Sequence, residues 1–371
     1  MIRLLFIAGT RPEAIKLCPT IRYCRAHPAF EAKLCVTAQH RHLLDQVLTA
    51  FDVRPDHDLD LMLPNQTLFQ STSRILSALA PVLEAERPDM VIVQGDTTTT
   101  FCGALAAFYT RAPVGHVEAG LRTGDLYEPF PEELNRVLTS RIARLHFAPT
   151  RRAAENLIRE GAAAESVSVT GNTGIDAVLH ICRELEAGRL RGADREEIDP
   201  ERKLILVTAH RRESFGAGFE RICRALRRLA RRDDIQIVYP VHPNPNVQAP
   251  VRRLLSDLDN VLLIEPVEYV AFVDLMRRAH ILLTDSGGIQ EEGPSLGKPI
   301  LVLRDKTERP EAVEAGGVKL VGSDEDRIVG ETERLLDDAE QYATMARVHN
   351  PYGDGRASGR IADLIASFFN R

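Results

Sequence analysis

Asp96 in QGDTTTT and Glu118 in GHVEAGLRTGD each follow a short apolar run directly, and Glu132 stands in EPFPEELNR. Acids placed just past strand ends point into a cleft rather than a core. Three acids of different burial can hold different pKa values, which is what acid and base roles in one site require. Glu132 has a second reading, because with Glu133 it falls in the first turn after Pro131, where acids stabilise a helix dipole. His210 in VTAHRRESFG also ends a strand-like run, and beside Arg211 and Arg212 it suits contact with an anion. A lone histidine is more often structural, and His242 in YPVHPNPN and His116 have less distinctive surroundings.

The stretch TDSGGIQEEGPSLGKP offers an anion receptor. Ser286, Gly287 and Gly288 would present a hydroxyl and free amides at a helix start, where unpaired N–H groups and the positive end of the dipole suit a phosphate. An ordinary Asp/Ser cap would leave the same local sequence. Glu292, one and a half turns on, stands where a carboxylate could accept hydrogen bonds from two ribose hydroxyls, and a phosphate with a ribose means a nucleotide. The chain has neither G-x-G-x-x-G after its first strand nor G-x-x-x-x-G-K-[ST] anywhere. In GTRPEAIK, Arg11 and Lys16 occupy the loop and first turns after strand one, with Pro12 suited to the first helical position. Cations there oppose the helix dipole, so a negative ligand is expected to compensate them; a solvated surface pair is the alternative. Arg309 in DKTERPEA is a similar case.

These residues need elements to carry them. Continuous apolar runs (RLLFIA, AKLCVTA, DMVIVQ, APVGHV, RLHFAP, SVSVTG, then KLILVTA, IQIVYP, VLLI, ILLT, PILVL and VKLV) alternate with stretches of helical spacing such as QTLFQSTSRILSALAPVLEAE. Strands of this kind belong to parallel sheets covered on both faces. Their number is about twice what one ordinary sheet holds, so the pattern predicts two doubly wound α/β domains of six strands each, meeting between residues 170 and 202. The most polar stretch, EAGRLRGADREEIDPER, is the naive linker. Ligands of open α/β sheets bind beyond the carboxyl ends of the strands, and the unusual residues above sit at those ends, facing an expected cleft. Thr97 or Thr98 in TTTT is read as a helix cap without chemistry.

Composition narrows the class. The 371 residues suit two domains, and 47 Lys+Arg against 53 Asp+Glu give a net charge of −6, which argues against nucleic acid as a partner. The six cysteines form no C-x-x-C pair, which speaks against a zinc site and for reduced core thiols. MIRLLFIAG reads as a first strand rather than a signal peptide, and no apolar stretch approaches the roughly 20 residues that span a bilayer. The expectation is a cytoplasmic protein with no metal.

In order and over nearly the whole chain, GTRPEAIK, QGDTTTT, HVEAGLRTGDLYEPFPEELNR, GNTGIDAV, TAHRRESFG, DSGGIQEEGPSLGKP and RDKTERPEA resemble the non-hydrolysing UDP-N-acetylglucosamine 2-epimerases. The resemblance implies the glycosyltransferase-B architecture: a Rossmann-like domain over 1–170, a second over 171–351, and a terminal helix over 352–371 returning to the first. It implies conversion of UDP-N-acetylglucosamine to UDP-N-acetylmannosamine by elimination of UDP to 2-acetamidoglucal and its re-addition, without a cofactor, in a homodimer. Carried over by motif, Ser286, Gly287 and Gly288 would hold the diphosphate, Glu292 the ribose, and Phe272 with the neighbourhood of Val267 the uracil. Arg11, His210 and Arg309 would neutralise the leaving diphosphate. Asp96, Glu118 and Glu132 would share proton removal and return, with Lys16 and Arg136 orienting sugar and carboxylates.

Bacterial members of that family can bind a second UDP-N-acetylglucosamine as activator. The implied allosteric residues here are Gln39, His42, Arg211 and His242, although His42 and Asn65 occupy places where activator-dependent members carry Gln and Arg. Rival expectations are an epimerase of a related UDP-diacetamido sugar, a hydrolysing epimerase, and a UDP-sugar transferase of the same fold.

Overall fold

The computed structural model describes residues 1–37, 41–63, 65–193 and 197–370, without the side chains of residues 41 and 42. Gln39 and the side chain of His42 therefore lie outside the described residues.

Chain contacts divide the protein into two units, one of Met1–His180 with Tyr352–Arg371 and one of Ile181–Pro351. The first unit is built on β1 (Ile2–Ala8), β2 (Phe30–Val36), β3 (His57–Asp58), β4 (Met90–Gln94), β5 (Val114–Val117), β6 (Leu145–Ala148) and β7 (Val167–Val169). These strands lie in the order β3-β2-β1-β4-β5-β6-β7, all parallel. Leu4 to Ala8 and Met90 to Val93 are buried throughout. A central parallel strand covered by helices on both faces has no polar side to present, which is why these runs do not alternate.

The sheet has seven strands where the apolar runs predict six. The additional one, β3, pairs only through Cys35↔His57 and Val36↔Asp58 at the sheet edge. Its two residues are polar and too few to form an apolar run.

The terminal helix Ala357–Phe369 belongs to the first unit and buries Ile361, Ala362 and Ile365. Asp176 supplies the cap that Arg356 lacks: its buried carboxylate accepts from Ala357 N at 3.2 Å and Ser358 N at 2.8 Å. Burial pushes the Asp176 carboxyl up, and hydrogen bonds from Ser358 and Ala357 oppose the shift.

The second unit contains β8 (Lys203–Thr208), β9 (Ile235–Pro240), β10 (Val261–Ile264), β11 (Ile281–Thr284), β12 (Ile300–Val302) and β13 (Val318–Leu320). Their order is β10-β9-β8-β11-β12-β13, again parallel and with the predicted six strands. Its core gathers Ile205, Val207, Ile237, Tyr239, Leu283 and Leu301 with the buried face of the helix Ala217–Leu229.

Each sheet reverses strand order once beside its first strand, at β1/β4 and at β8/β11. Crevices at such reversals are where open α/β sheets take ligands. The segments leaving these strands carry Gly9 to Arg11 and Gly95 to Thr97 in the first unit, and Ala209 to Arg211 and Asp285 to Gly287 in the second.

Candidate active site

In the first unit, β1 is followed by Gly9, where a side chain has no room. A Cβ there would stand 2.2 Å from Thr99 Oγ1 and 2.7 Å from Thr37 Oγ1. Thr10 is the N-cap residue of the helix Arg11–Ala26, and Glu13 supplies the carboxylate half of a capping box to its N–H. Glu13 is almost wholly buried, and its Oε2 accepts from Gly9 N at 3.0 Å and Thr10 N at 2.7 Å. Its Oε1 lies 2.8 Å from Thr97 Oγ1 and 3.0 Å from Thr100 Oγ1. Thr97 is itself the cap of the helix Thr98–Tyr109, so one carboxyl group joins two helix starts and aligns the segments after β1 and β4.

Arg11 is the first residue of its helix and makes no hydrogen bond or ion pair among the described residues, leaving its charge available to a ligand. Lys16 differs from the expectation that a ligand compensates both cations, because its ammonium pairs with Glu118. Only 19% of the Lys16 side chain and 10% of the Glu118 side chain are exposed, so water weakens this pair little. Glu118 follows β5 at φ 63°, the left-handed region that a residue with a side chain enters at a cost. Such outliers cluster at functional sites.

Asp96 meets Arg136, with Nε at 2.9 Å and Nη2 at 2.6 Å from the same Oδ2. Asn135 Nδ2 adds a hydrogen bond to Asp96 O at 2.9 Å. Glu133 stands in the first turn of the helix Glu132–Ile142, where an acid expected to serve the helix dipole belongs, and it has further partners. Its buried Oε2 accepts from Arg136 Nη1 at 2.9 Å, while Oε1 accepts from Thr123 N at 3.0 Å and Gly124 N at 3.2 Å. Burial works against the Arg136 charge, but Asp96 and Glu133 outweigh it and hold the guanidinium above its usual pKa. Glu132 lies one turn before Arg136 on the helix Glu132–Ile142 and is half-buried. His116 is structural: Nε2 lies 2.8 Å from Gly95 O, and burial pushes its pKa down to about 3.

In the second unit, Ser286 stands at the start of the short helix Gly287–Glu292, with its N–H donating to Thr284 Oγ1 at 2.9 Å. A Cβ on Gly288 would meet only Ser286 Oγ, at 4.0 Å, so that face is open. Arg309 lies over Gly287, its Cζ 3.5 Å from where a Cβ would be. The guanidinium is held there by Glu291, which is buried. Asn350 Nδ2 bonds Glu291 O at 2.7 Å, and Thr307 Oγ1 donates to Gln290 Oε1 at 2.6 Å, fixing both ends of this arrangement. Glu292 is half-buried on the same short helix. Val267 lies in the loop after β10, and Phe272 sits in the first turn of the helix Tyr269–Arg278; both are half-buried.

His210 and His242 stack with ring centroids 5.2 Å apart and planes 12° from parallel. Asp285, buried behind them, accepts from His210 N at 2.6 Å and Arg211 N at 2.7 Å. Burial pushes His210 down, with His242 and Arg211 acting the same way and Asp285 opposing. Arg211 and His242 are exposed.

The structure thus joins Lys16 to Glu118 and Asp96 to Arg136 in one unit, and in the other Gly287 to Arg309 and His210 to His242. Sequence reading missed three acids behind them, Glu13, Asp285 and Glu291, and read Glu133 only as a helix-dipole acid. The T-x-x-E spacing of Thr10 and Glu13 was a usable signal for the first, as a capping box. Among the described residues no group of three or more His, Cys, Asp or Glu is arranged to hold a metal ion. All six cysteines are free and buried, and burial raises Cys182 to about 11 and the other five to about 12, so none is a thiolate nucleophile. No helix among the described residues is long and apolar enough to cross a membrane.

The family model for UDP-N-acetylglucosamine 2-epimerase matches residues 22–366. The chain belongs to that family. It is 57% identical to the UDP-N-acetylglucosamine 2-epimerase of Escherichia coli O157:H7 over 98% of both chains. A crystal structure of UDP-GlcNAc 2-epimerase from Neisseria meningitidis bound to UDP-GlcNAc matches with a TM-score of 0.88 and 50% identity, covering 99% of this chain and 100% of that one. The S. aureus MnaA–UDP co-structure matches with a TM-score of 0.88 and 45% identity, over 100% of this chain and 97% of that one. The two doubly wound units are those of this family's glycosyltransferase-B-like fold.

Proposed function

We propose that the protein interconverts UDP-N-acetylglucosamine and UDP-N-acetylmannosamine by elimination and re-addition of UDP. The observation that carries this reading is that two carboxylates past strand ends, Asp96 and Glu118, each face a mostly buried cation, Arg136 and Lys16. The proton on C2 of the hexose has no adjacent carbonyl to acidify it, so removal alone is too slow. If the C1–O bond to UDP breaks as a carboxylate takes the C2 proton, the electron pair of the C–H bond becomes the C1=C2 bond of 2-acetamidoglucal. Diphosphate carries away the negative charge. UDP oxygen then returns to C1 while a proton is delivered to the opposite face of C2. No electron is lost or gained overall, so the balance requires no redox partner.

In this reading Asp96, Glu118 and Glu132 share the two proton transfers, with Lys16 and Arg136 orienting them. Arg11, His210 and Arg309 stabilise the departing diphosphate through charge-assisted contacts. Ser286, Gly287 and Gly288 hold that group, Glu292 the ribose, and Phe272 with Val267 the uracil. The relatives' names and the bound UDP-GlcNAc and UDP of the solved structures support this choice of substrate. We propose a homodimer as well, to be checked by light scattering.

Incubation with UDP-N-acetylglucosamine in heavy water tests the chemistry. Deuterium at C2 of the product is expected, with free UDP remaining far below product. Unlabelled product would exclude elimination, and UDP equal to product would favour a hydrolysing enzyme.

A further inference from the structure

We infer that Asp285 is a positioning residue for His210: one carboxylate oxygen pins the turn that carries the imidazole, and the other is poised to take the His210 Nδ1–H when a nucleoside diphosphate meets the opposite side of the ring. This rests on the reading above, in which His210 contacts the diphosphate.

The turn is fixed before any ligand arrives. β8 and β11 end in register at Thr208↔Thr284, and the two hydroxyls lie 2.6 Å apart. Asp285 N continues the ladder to Thr208 O at 3.0 Å. Tyr239 on β9 donates its hydroxyl to Ala209 O at 2.6 Å, and Asp285 Oδ2 takes the N–H groups of both His210 and Arg211. The main freedom left to His210 is rotation of its side chain.

Asp285 Oδ1 is the anomaly. The residue is 1% exposed, and this oxygen has no hydrogen-bond partner among the described residues. A buried carboxylate oxygen without a donor is costly and calls for a reason. His210 Nδ1 lies 3.7 Å away, too far for a hydrogen bond. A shift of about 1 Å would bring it into hydrogen-bond range. The His210 side chain is 39% exposed, so its outer edge can reach a ligand.

The groups facing His210 set how readily its ring takes up a proton. Burial disfavours its charged form, His242 and Arg211 do the same, and Asp285 alone opposes them. A diphosphate adds negative charge on the exposed side and tips the balance toward imidazolium. The cation then donates from Nδ1 to Asp285 and from Nε2 to the ligand, both charge-assisted bonds. Asp285 would thereby set which nitrogen faces the diphosphate.

The test is Asp285→Asn. Its amide oxygen can still accept from His210 N and Arg211 N, so the turn survives, but the NH2 group then faces Nδ1 and cannot accept from it. NMR of imidazole-labelled protein, titrated with and without UDP, reads the ring directly. UDP should raise the His210 pKa by at least about one unit in the parent protein and give a hydrogen-bonded Nδ1–H, whereas in Asp285→Asn the rise should be smaller and the Nδ1–H bond absent. In kinetics, kcat should fall about ten- to a hundredfold with little change in KM. Adding Asp285→Asn to His210→Gln should cost less than about twofold. The same loss in both backgrounds, or an unchanged His210 titration, would overturn the inference. If Asp285→Asn does not fold, the parent protein with UDP decides: an Nδ1 that is unprotonated or exchanging freely with water overturns it. The UDP titration does not depend on epimerisation, so it separates failure of this inference from failure of the proposed reaction.

Discussion

Glu133 and Asp96 grip the same guanidinium: Arg136 places Nη1 2.9 Å from Glu133 Oε2 and Nη2 2.6 Å from Asp96 Oδ2. Only 1% of the Glu133 side chain and 16% of that of Arg136 are exposed, so the pairing is that of an interior charge network. Glu133→Ala leaves Arg136 free to close fully on Asp96 and removes the acceptor for Thr123 and Gly124. The expected loss is about 1–3 kcal/mol of stability, because Arg136 keeps Asp96 as partner while the donors on Thr123 and Gly124 lose theirs. Glu133→Gln should keep the fold and lower kcat about tenfold or more, and its effect should not add to that of Asp96→Asn. Urea denaturation and a double-mutant cycle measure both. Additive effects would separate Glu133 from Asp96.

His116 and His146 sit opposite one another in register on β5 and β6. Burial is the main cause that pushes them down, to about 3 and about 4. Folded values below the unfolded value of about 6.5 mean that the unfolded chain takes up protons first. The stability these neutral rings permit is complete above about pH 6.5 and is lost as pH falls toward the folded values. Between pH 6.5 and 5, each ring should account for about 2 kcal/mol. Thermal melts should show a steep fall over that range, shallower in His116→Gln. An equal slope in the variant would contradict this origin.

Glu291 is the acid that fixes Arg309 over Gly287. Removing it as Glu291→Ala frees a long side chain whose immobilisation must then be supplied by the ligand. UDP affinity should drop about tenfold by calorimetry, consistent with loss of one pre-organised charge-assisted contact. Glu291→Gln can still accept from Arg309 Nε and should lose less. Unchanged affinity in Glu291→Ala would remove Arg309 from the diphosphate site.

What was legible in the sequence was whatever a short window records. Twelve of the strands announced themselves as continuous apolar runs, and β3 did not because two polar residues form no run. Asp96, Glu118 and His210 were found because they follow such runs. Their partners were hidden for different reasons. Glu133 reads as a helix-dipole acid until the chain folds Arg136 toward Asp96, and Asp285 reads as a cap although its carboxylate bonds His210 N and Arg211 N on the segment that leaves the neighbouring strand β8. The left-handed backbone at Glu118 has no local sequence signal comparable to a glycine. The contact division at His180/Ile181 falls inside the helix Thr173–Glu186, where no shift in composition marks it.

Glu13 offers the sharpest separation between a charge and a shape. Thr100 Oγ1 lies 2.6 Å from Gln94 O and 3.0 Å from Glu13 Oε1, yet a hydroxyl has one proton to give. If that proton goes to the nearer Gln94 O, Oε1 must itself carry a proton to bond Thr100. Burial, the largest influence on Glu13, pushes its pKa up in the same sense, against hydrogen bonds from Thr97, Thr10, Gly9 and Thr100. A raised folded value means that the unfolded chain loses its proton first. The contribution is therefore complete below the unfolded value of about 4.5 and is lost as pH rises through the folded value. Glu13→Gln mimics the protonated form, with its oxygen toward Gly9 and Thr10 and its NH2 toward the threonines. It should match the parent protein within about 1 kcal/mol at acid pH and gain on it as pH rises. Glu13→Ala should lose about 2–4 kcal/mol throughout, because buried donors at two helix starts are left without an acceptor. Denaturant melts of the three proteins across pH 4 to 8 decide it: a Glu13→Gln deficit that widens with pH would show that the group is held as a carboxylate.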